Sequence, residues 1–212
     1  MKVLIAGANG YTGRNIVEFM SQRTGHEAYA MIRHSDQAEK MMELGAAGII
    51  VADLEQDLSE AVQGMDAIIF AAGSGSKTGP EKTISVDQEG AKRLVDAAKE
   101  NGIKHFVMLS SIGADRPHGK IKHYLEAKGI ADEHLKKSGL TYTIVRPGRL
   151  THEPGKGRIE LVDHFEKPQG RDIPRADVAH VLVASLDIDN VKNKTFEILS
   201  GDEKIEEAMK SY

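Results

Sequence analysis

Short apolar runs alternate along this chain with stretches whose apolar positions recur every three or four residues. The first run, Val3 to Ala6, reads as a strand buried on both faces, and Ile16, Val17 and Met20 then fall on one face of a helix. Glu27 to Ile32 predicts a second strand. Ser35 would cap a helix through Leu44, with Gly45 as its stop. Gly48 to Val51 predicts a third strand, Leu58 to Val62 a short helix and Asp66 to Phe70 a fourth strand. Gly73 to Pro80 has the composition of a loop. The helix expected over 81–101 carries Ala91, Leu94, Val95 and Ala98 on one face and stops at Asn101-Gly102. His105 to Leu109 is a fifth strand, Ile121 to Ser138 a helix closed by Gly139, and Thr141 to Val145 a sixth strand. Residues 150–172 mix glycine, proline and charge and read as loop, with room for a small hairpin. Val178 to Leu186 is a helix that Asp177 would cap, Thr195 to Leu199 a last strand, and Ile205 to Met209 a short terminal helix.

Strands that alternate with helices pair in parallel through right-handed crossovers. The pattern therefore predicts one α/β domain over residues 1–212, doubly wound, with a mostly parallel sheet of order 3-2-1-4-5-6-7. Residues 150–172 and the C-terminal tail leave only a minimal portion outside that scheme.

Composition narrows the classes. At 212 residues, 40% hydrophobic and with 6 prolines, the chain can bury a sizeable core and does not read as disordered. A net charge of −4 supplies no basic field, so neither nucleic acid nor an anionic membrane is an expected partner. No apolar run is long enough to span a bilayer, and Met1-Lys2 leads straight into the first strand with no room for a signal peptide. The absence of cysteine excludes disulfides, thiolate metal sites and cysteine nucleophiles. A soluble cytoplasmic protein, monomer or homodimer, acting on a small molecule is the expectation. His118 and His123 lack the spacing of a zinc helix, so no metal is expected, and no Gly-x-Ser-x-Gly elbow supports a hydrolase.

Between the first strand and its helix lies Gly7-Ala8-Asn9-Gly10-Tyr11-Thr12-Gly13-Arg14. Glycines at this point let the backbone approach a pyrophosphate, and the helix start offers N–H groups and a partial positive charge. The spacing Gly-x-x-Gly-x-x-Gly differs from the commonest dinucleotide fingerprint, but its place after a strand and before a helix fits a Rossmann-type turn. The end of the second strand then selects the cofactor. An acid there suits NAD and a cation suits the 2′-phosphate of NADP. The chain has Arg33, with Arg14 as a second contact, which favours NADP(H) and leaves NAD(H) as the alternative. Arg33 also fits an ordinary surface cation. Asp53, followed by Leu54, could accept from an adenine amino group or simply close a loop, and Ala71-Ala72-Gly73 is small enough for a ribose to lie against it. Gly73 to Thr78 lacks the glycines of a triphosphate loop and is set aside.

Tyr124 and Lys128 share a helical face, and an ammonium beside a phenol favours the phenolate. Such a pair can move a proton, while the ammonium can also hold ribose hydroxyls. Read by itself the spacing equally fits a half-buried tyrosine beside a solvated lysine. Ser110 and Ser111 end the fifth strand, where a hydroxyl can orient a substrate carbonyl.

Taken in order, Gly7-x-x-Gly10-x-x-Gly13, Asp53-Leu54, Ser110-Ser111, Tyr124-x-x-x-Lys128 and Arg146-Pro147-Gly148 resemble the short-chain dehydrogenase/reductase superfamily. Within it the chain is similar to atypical NAD(P)-binding members labelled as sugar epimerases or dehydratases, relatives of flavin/biliverdin reductase and NmrA-like regulators. The resemblance runs from Lys2 to about Ser200. It implies Ser111, Tyr124 and Lys128 as the catalytic set, with Pro147 and Gly148 passing the nicotinamide. The segment Arg175-x-Asp177 also resembles the family and is read as structural, with Arg175 open as a crevice residue. Two classes of function follow: an NADP(H)-dependent oxidoreductase (or a sugar-nucleotide epimerase/dehydratase), and a non-catalytic module that senses the dinucleotide. The retained Tyr-x-x-x-Lys favours the enzyme.

Overall fold

The computed structural model describes residues 1–22, 25–75, 79–166 and 171–212. Along the chain these form β1 (Lys2–Ala6), α1 (Tyr11–Ser21), β2 (Glu27–Ile32), α2 (Ala38–Glu43), β3 (Gly48–Val51) and β4 (Ala67–Phe70). Next come α3 (Pro80–Lys82), a π-helical segment Thr83–Gly90, α4 (Ala91–Glu100), β5 (His105–Leu109), α5 (Lys122–Lys137) and β6 (Tyr142–Pro147). The remainder is β7 (Arg149–Thr151), β8 (Arg158–Val162), β9 (Asp172–Pro174), α6 (Arg175–Ala184), β10 (Lys194–Ser200), β11 (Glu203–Lys204) and α7 (Ile205–Ser211).

One sheet organises the molecule, in the order β11-β8-β10-β6-β5-β4-β1-β2-β3. From β3 to β10 every pairing is parallel, so this part is a doubly wound Rossmann-type sheet in the predicted order, with β10 as the expected seventh strand. The apolar runs are buried as their sequence demands: Val3, Leu4, Ile5 and Ala6 are fully enclosed, as are Ala67 to Phe70. Side chains on one face, such as Val3, Ile5 and Val107, pack with Ile16, Val17 and Met20 of α1 and with Val178, Val181 and Leu182 of α6. The other face, with Leu4, Ile68, Phe70 and Phe106, packs with Leu94, Val95 and Ala98 of α4 and with Ala131 and Leu135 of α5. Register aligns Ala6 with both Met31 and Phe70, Phe70 with Met108, and Leu109 with Val145. The carboxyl ends of β1, β2, β4, β5 and β6 therefore lie along one edge.

Several local expectations change. Leu58 to Val62 forms turns instead of a helix, because Asp57 Oδ1 accepts from Ser59 N at 3.0 Å and Oγ at 2.7 Å and bends the chain. Leu58, Ala61 and Val62 are still buried. Ser35 begins a 3₁₀ turn, Ser35–Gln37, and does not cap α2. Asp177 lies inside α6, whose N-cap is Pro174; its carboxylate accepts from Lys156 N at 2.9 Å and Gly157 N at 2.8 Å, tying the 150s loop to the helix. No hairpin forms within 150–172 among the described residues. Instead β7 pairs with β9 in parallel, and β8 joins the main sheet antiparallel to β10. The loops expected over 73–80 and 150–172 fall partly outside the described residues, at 76–78 and 167–170.

Candidate functional site

The glycine turn is built by close approach. Gly7 has φ +83°, and a Cβ there would lie 2.6 Å from Ala72 Cα and N. A Cβ on Gly13 would overlap Gly7 O deeply, and Gly10 N donates to Gly7 O at 3.0 Å. The turn is thus pressed onto Ala71-Ala72 at the end of β4 and onto itself. Gly10 is the N-cap of α1 and no side chain caps the helix, so its first N–H groups face the carboxyl edge. Thr12 is buried behind them and Tyr11 is exposed. Arg14 turns inward, donating from Nε and Nη2 to Asn9 Oδ1 at 3.1 and 2.7 Å. This cradle, too tight for any side chain, fits a diphosphate.

Arg33 stands exposed just past the end of β2. Asp53 Oδ1 accepts from Glu55 N at 3.0 Å, closing the turn after β3, and Leu54 is buried with its carbonyl accepting from Arg93 Nη1 at 2.8 Å. Gly73 is exposed beyond Ala72. Across the edge, Pro147 is buried at the end of β6, and Gly148 is packed so closely under Leu199 and Arg171 O that a Cβ would collide with both.

The structure separates the two serines that end β5. Ser110 Oγ donates to Asp132 Oδ2 at 2.9 Å, and Asp132 also accepts from Arg146 Nε and Nη2 at 3.0 and 2.9 Å. Burial pushes the Asp132 carboxyl above its ordinary value, against the pull of Arg146 and Ser110. Ser111 is half-buried, donates to Ile112 O at 3.2 Å, and starts a turn in which Ala114 N donates to Ser111 O at 3.2 Å. That turn touches α5: Gly113 faces Leu125, and Gly129 lies so close to Ala114 O that only glycine fits. Ser111 and the start of α5, with half-buried Tyr124, are thereby held as one unit.

Lys128 is the least expected member. It is 3% exposed, and its Nζ lies 3.1 Å from Asp87 Oδ1, 3.4 Å from Ala72 O and 3.3 Å from Leu109 O. These three acceptors match the three N–H groups of an ammonium, a different set of partners from the ribose hydroxyls expected for the lysine of the Tyr124–Lys128 pair. Nζ also lies 5.7 Å from the Tyr124 ring centroid. Burial pushes the Lys128 ammonium down, but the charges of Tyr124 and Asp87 outweigh it and its pKa is raised. Asp87 is fully buried in the π-helical segment, and its Oδ2 accepts from Ser74 N at 2.9 Å. Sequence reading missed Asp87, Asp132 and Arg146 as buried charges, although a signal was present. Asp87 lies four residues before Ala91 and seven before Leu94, and Lys128 and Asp132 fall on the stripe of Ala131 and Leu135.

Among the described residues no helix is long and apolar enough to cross a membrane, and no cluster of His, Asp and Glu could hold a metal ion. Known proteins share both the sequence and the architecture. A Bacillus subtilis protein named an uncharacterized sugar epimerase, YhfK, is 41% identical over 99% of each chain. Sanguinarine reductase from Eschscholzia californica is 28% identical over 100% of this chain and 93% of its own. A solved Bacillus halodurans structure, described as a candidate NAD-dependent epimerase/dehydratase, is 42% identical and superposes over 100% of both chains with a TM-score of 0.96. The family model described as NAD(P)H-binding matches residues 7–189, spanning the glycine turn, the β4 and β5 ends and α6, and the chain belongs to that NAD(P)H-binding family.

Proposed function

We propose that this protein is an NADP(H)-dependent oxidoreductase acting on a small carbonyl, hydroxyl or sugar-like substrate. The observation that carries the reading is the unit formed by Tyr124, Lys128 and the Ser111 turn at the carboxyl edge, beside a glycine cradle suited to a diphosphate. Gly7, Gly10, Gly13 and the first N–H groups of α1 would hold the diphosphate, Arg33 the 2′-phosphate, and Pro147 with Gly148 the nicotinamide end. The dinucleotide, when bound, supplies or accepts the hydride.

In this reading Ser111 turns its hydroxyl to the substrate oxygen and orients it. Tyr124 gives or takes the proton at that oxygen. The Lys128 ammonium, its Nζ 5.7 Å from the Tyr124 ring centroid, sets a positive charge beside that proton transfer. Asp87 holds that ammonium in place and tempers its field. Among the described residues of the 150–172 segment only short strands form at the substrate side, which suits a small substrate better than a full nucleotide sugar.

The test is reduction of a panel of small carbonyl compounds with NADPH, comparing wild type with Tyr124→Phe. The reading predicts a fall in kcat of at least about 100-fold in the variant. Equal rates would remove Tyr124 from the chemistry, and binding of NADPH with no reduction above background by either protein would favour a dinucleotide-sensing module. The name of the Bacillus subtilis relative favours a second reading, epimerisation of a sugar. Interconversion of a sugar with no net consumption of NADPH would mark it.

A further inference from the structure

Arg175 lies beside Tyr11, the residue that opens α1 directly after Gly10 of the glycine turn. Its guanidinium carbon lies 5.7 Å from the Tyr11 ring centroid, and its Nη1 donates to Leu150 O at 3.1 Å. His152 meets the same ring edge-on, with centroids 4.6 Å apart and planes at 79°. Three separate segments make this cluster: Tyr11 opens α1, His152 follows β7, and Arg175 opens α6. Its assembly follows from the topology. Leu150 pairs with Ile173 and Thr151 with Pro174, so residues 152 and 175 leave the small sheet side by side, and α6 packs along α1. Yet Tyr11 keeps 67% of its surface exposed, so the cluster encloses no core.

The glycine turn lacks a cation of its own. Arg14, next to it in sequence, has its fork closed on Asn9 Oδ1. Arg175 commits one N–H, to Leu150 O, and that bond with the Tyr11 ring fixes the plane of the fork. An arginine so fixed presents its other donors to an oxyanion in a bidentate geometry with little ordering left to do.

We propose that Arg175 is a phosphate-binding residue, steadied by Tyr11 and Leu150 O and flanked by His152, whose guanidinium takes oxygens of the diphosphate resting on the first turn of α1. This rests on the dinucleotide reading above and adds a contact from the far end of the chain. Tyr11 and His152 position the arginine and wall the site from the substrate side. A fixed guanidinium fork would equally suit an anionic group on the substrate, so the experiment needs two arms.

In the first arm, calorimetry measures NADPH and adenosine 2′-monophosphate binding to wild type, Arg175→Gln and Arg175→Lys. The second nucleotide reaches the Arg33 end and carries no diphosphate. Arg175→Gln should weaken NADPH binding about tenfold or more, as expected for one charge-assisted contact, and leave the monophosphate unchanged. Arg175→Lys should recover part of the loss. Unchanged NADPH affinity overturns the proposal, and so does an equal loss for both ligands, which would mark a structural role. In the second arm, KM is measured for a carbonyl substrate with a carboxylate and for its neutral analogue. A rise confined to the carboxylate form, with NADPH binding intact, would assign the site to substrate and overturn the diphosphate contact. Wild type that fails to bind NADPH would refute the dinucleotide reading itself, whereas equal binding by wild type and Arg175→Gln refutes only this inference.

Discussion

Replacing Asp87 by Asn isolates the charge that holds Lys128 in place. Asn keeps the volume and can still accept from Ser74 N, but it leaves the ammonium of Lys128 buried beside two carbonyls without the counter-charge in contact with it. At the 3.1 Å separation of Nζ and Oδ1, an effective dielectric of about 20 gives a Coulomb attraction of roughly 5 kcal/mol. Breaking one side of a buried pair typically costs about 3–5 kcal/mol, so the two routes agree. For a chain of this size that is a fall in Tm of roughly 10 °C at neutral pH. The sign with pH is fixed by the raised pKa of Lys128: the stabilisation is complete below the ordinary lysine value and is lost as pH rises through the raised one. The assay is thermal and urea unfolding of wild type, Asp87→Asn, Lys128→Met and the double variant. The double variant should be more stable than the sum of the single losses predicts, with a coupling of about 3 kcal/mol. A loss below about 1 kcal/mol for Asp87→Asn, or strict additivity, would refute the claim that the pair is buried and coupled.

Three further outcomes follow from the structure. Gly129→Ala places a methyl into Ala114 O and should cost about 1–3 kcal/mol in urea unfolding while lowering kcat through the displaced Ser111 turn; unchanged stability would show that α5 is not pressed there. His105 is buried against Thr143 Oγ1 at 3.0 Å, and burial pushes its pKa down to about 4. The unfolded chain then takes up a proton that the native chain refuses, so stability should drop by roughly 3 kcal/mol as pH falls from about 6.5 to about 4, and His105→Gln should remove that part of the slope in unfolding curves taken across the range. Arg33→Ala should weaken NADP(H) binding at least about tenfold and NAD(H) binding little, and equal losses would show that the 2′-phosphate is not held there.

The order of the sheet was legible because the strand runs are short, apolar and separated by amphipathic helices, which leaves few topologies. Asp57 bending its own turn shows where pattern reading fails: local side-chain bonds outcompete a weak five-residue helix. Strand β8 was illegible for another reason. Its residues alternate Ile159 buried and Glu160 exposed, but they pair with β10, some forty residues later, and no local signal carries that partner. At the candidate site, the glycine turn was read from its spacing and its place between strand and helix, whereas Ser111, Tyr124 and Lys128 stood out as a set only through the ordered resemblance along the chain. The partners of Lys128 were not, since an acid inside an apolar helical stripe reads as a flaw in the pattern until the facing lysine is seen. Arg175 illustrates the same limit, because its relation to Tyr11 exists only once α6 packs along α1.

The account depends on a nicotinamide dinucleotide seated across the carboxyl edge of the sheet with its diphosphate on the turn from Gly7 to Gly13. Isothermal titration of the purified chain with NADPH and NADH, alongside Gly13→Ala, tests this most directly. The account predicts saturable one-to-one binding that is tighter for NADPH and is abolished in the variant, whose added methyl would overlap Gly7 O. No heat with either dinucleotide, in a preparation shown to carry no copurified nucleotide, would contradict it.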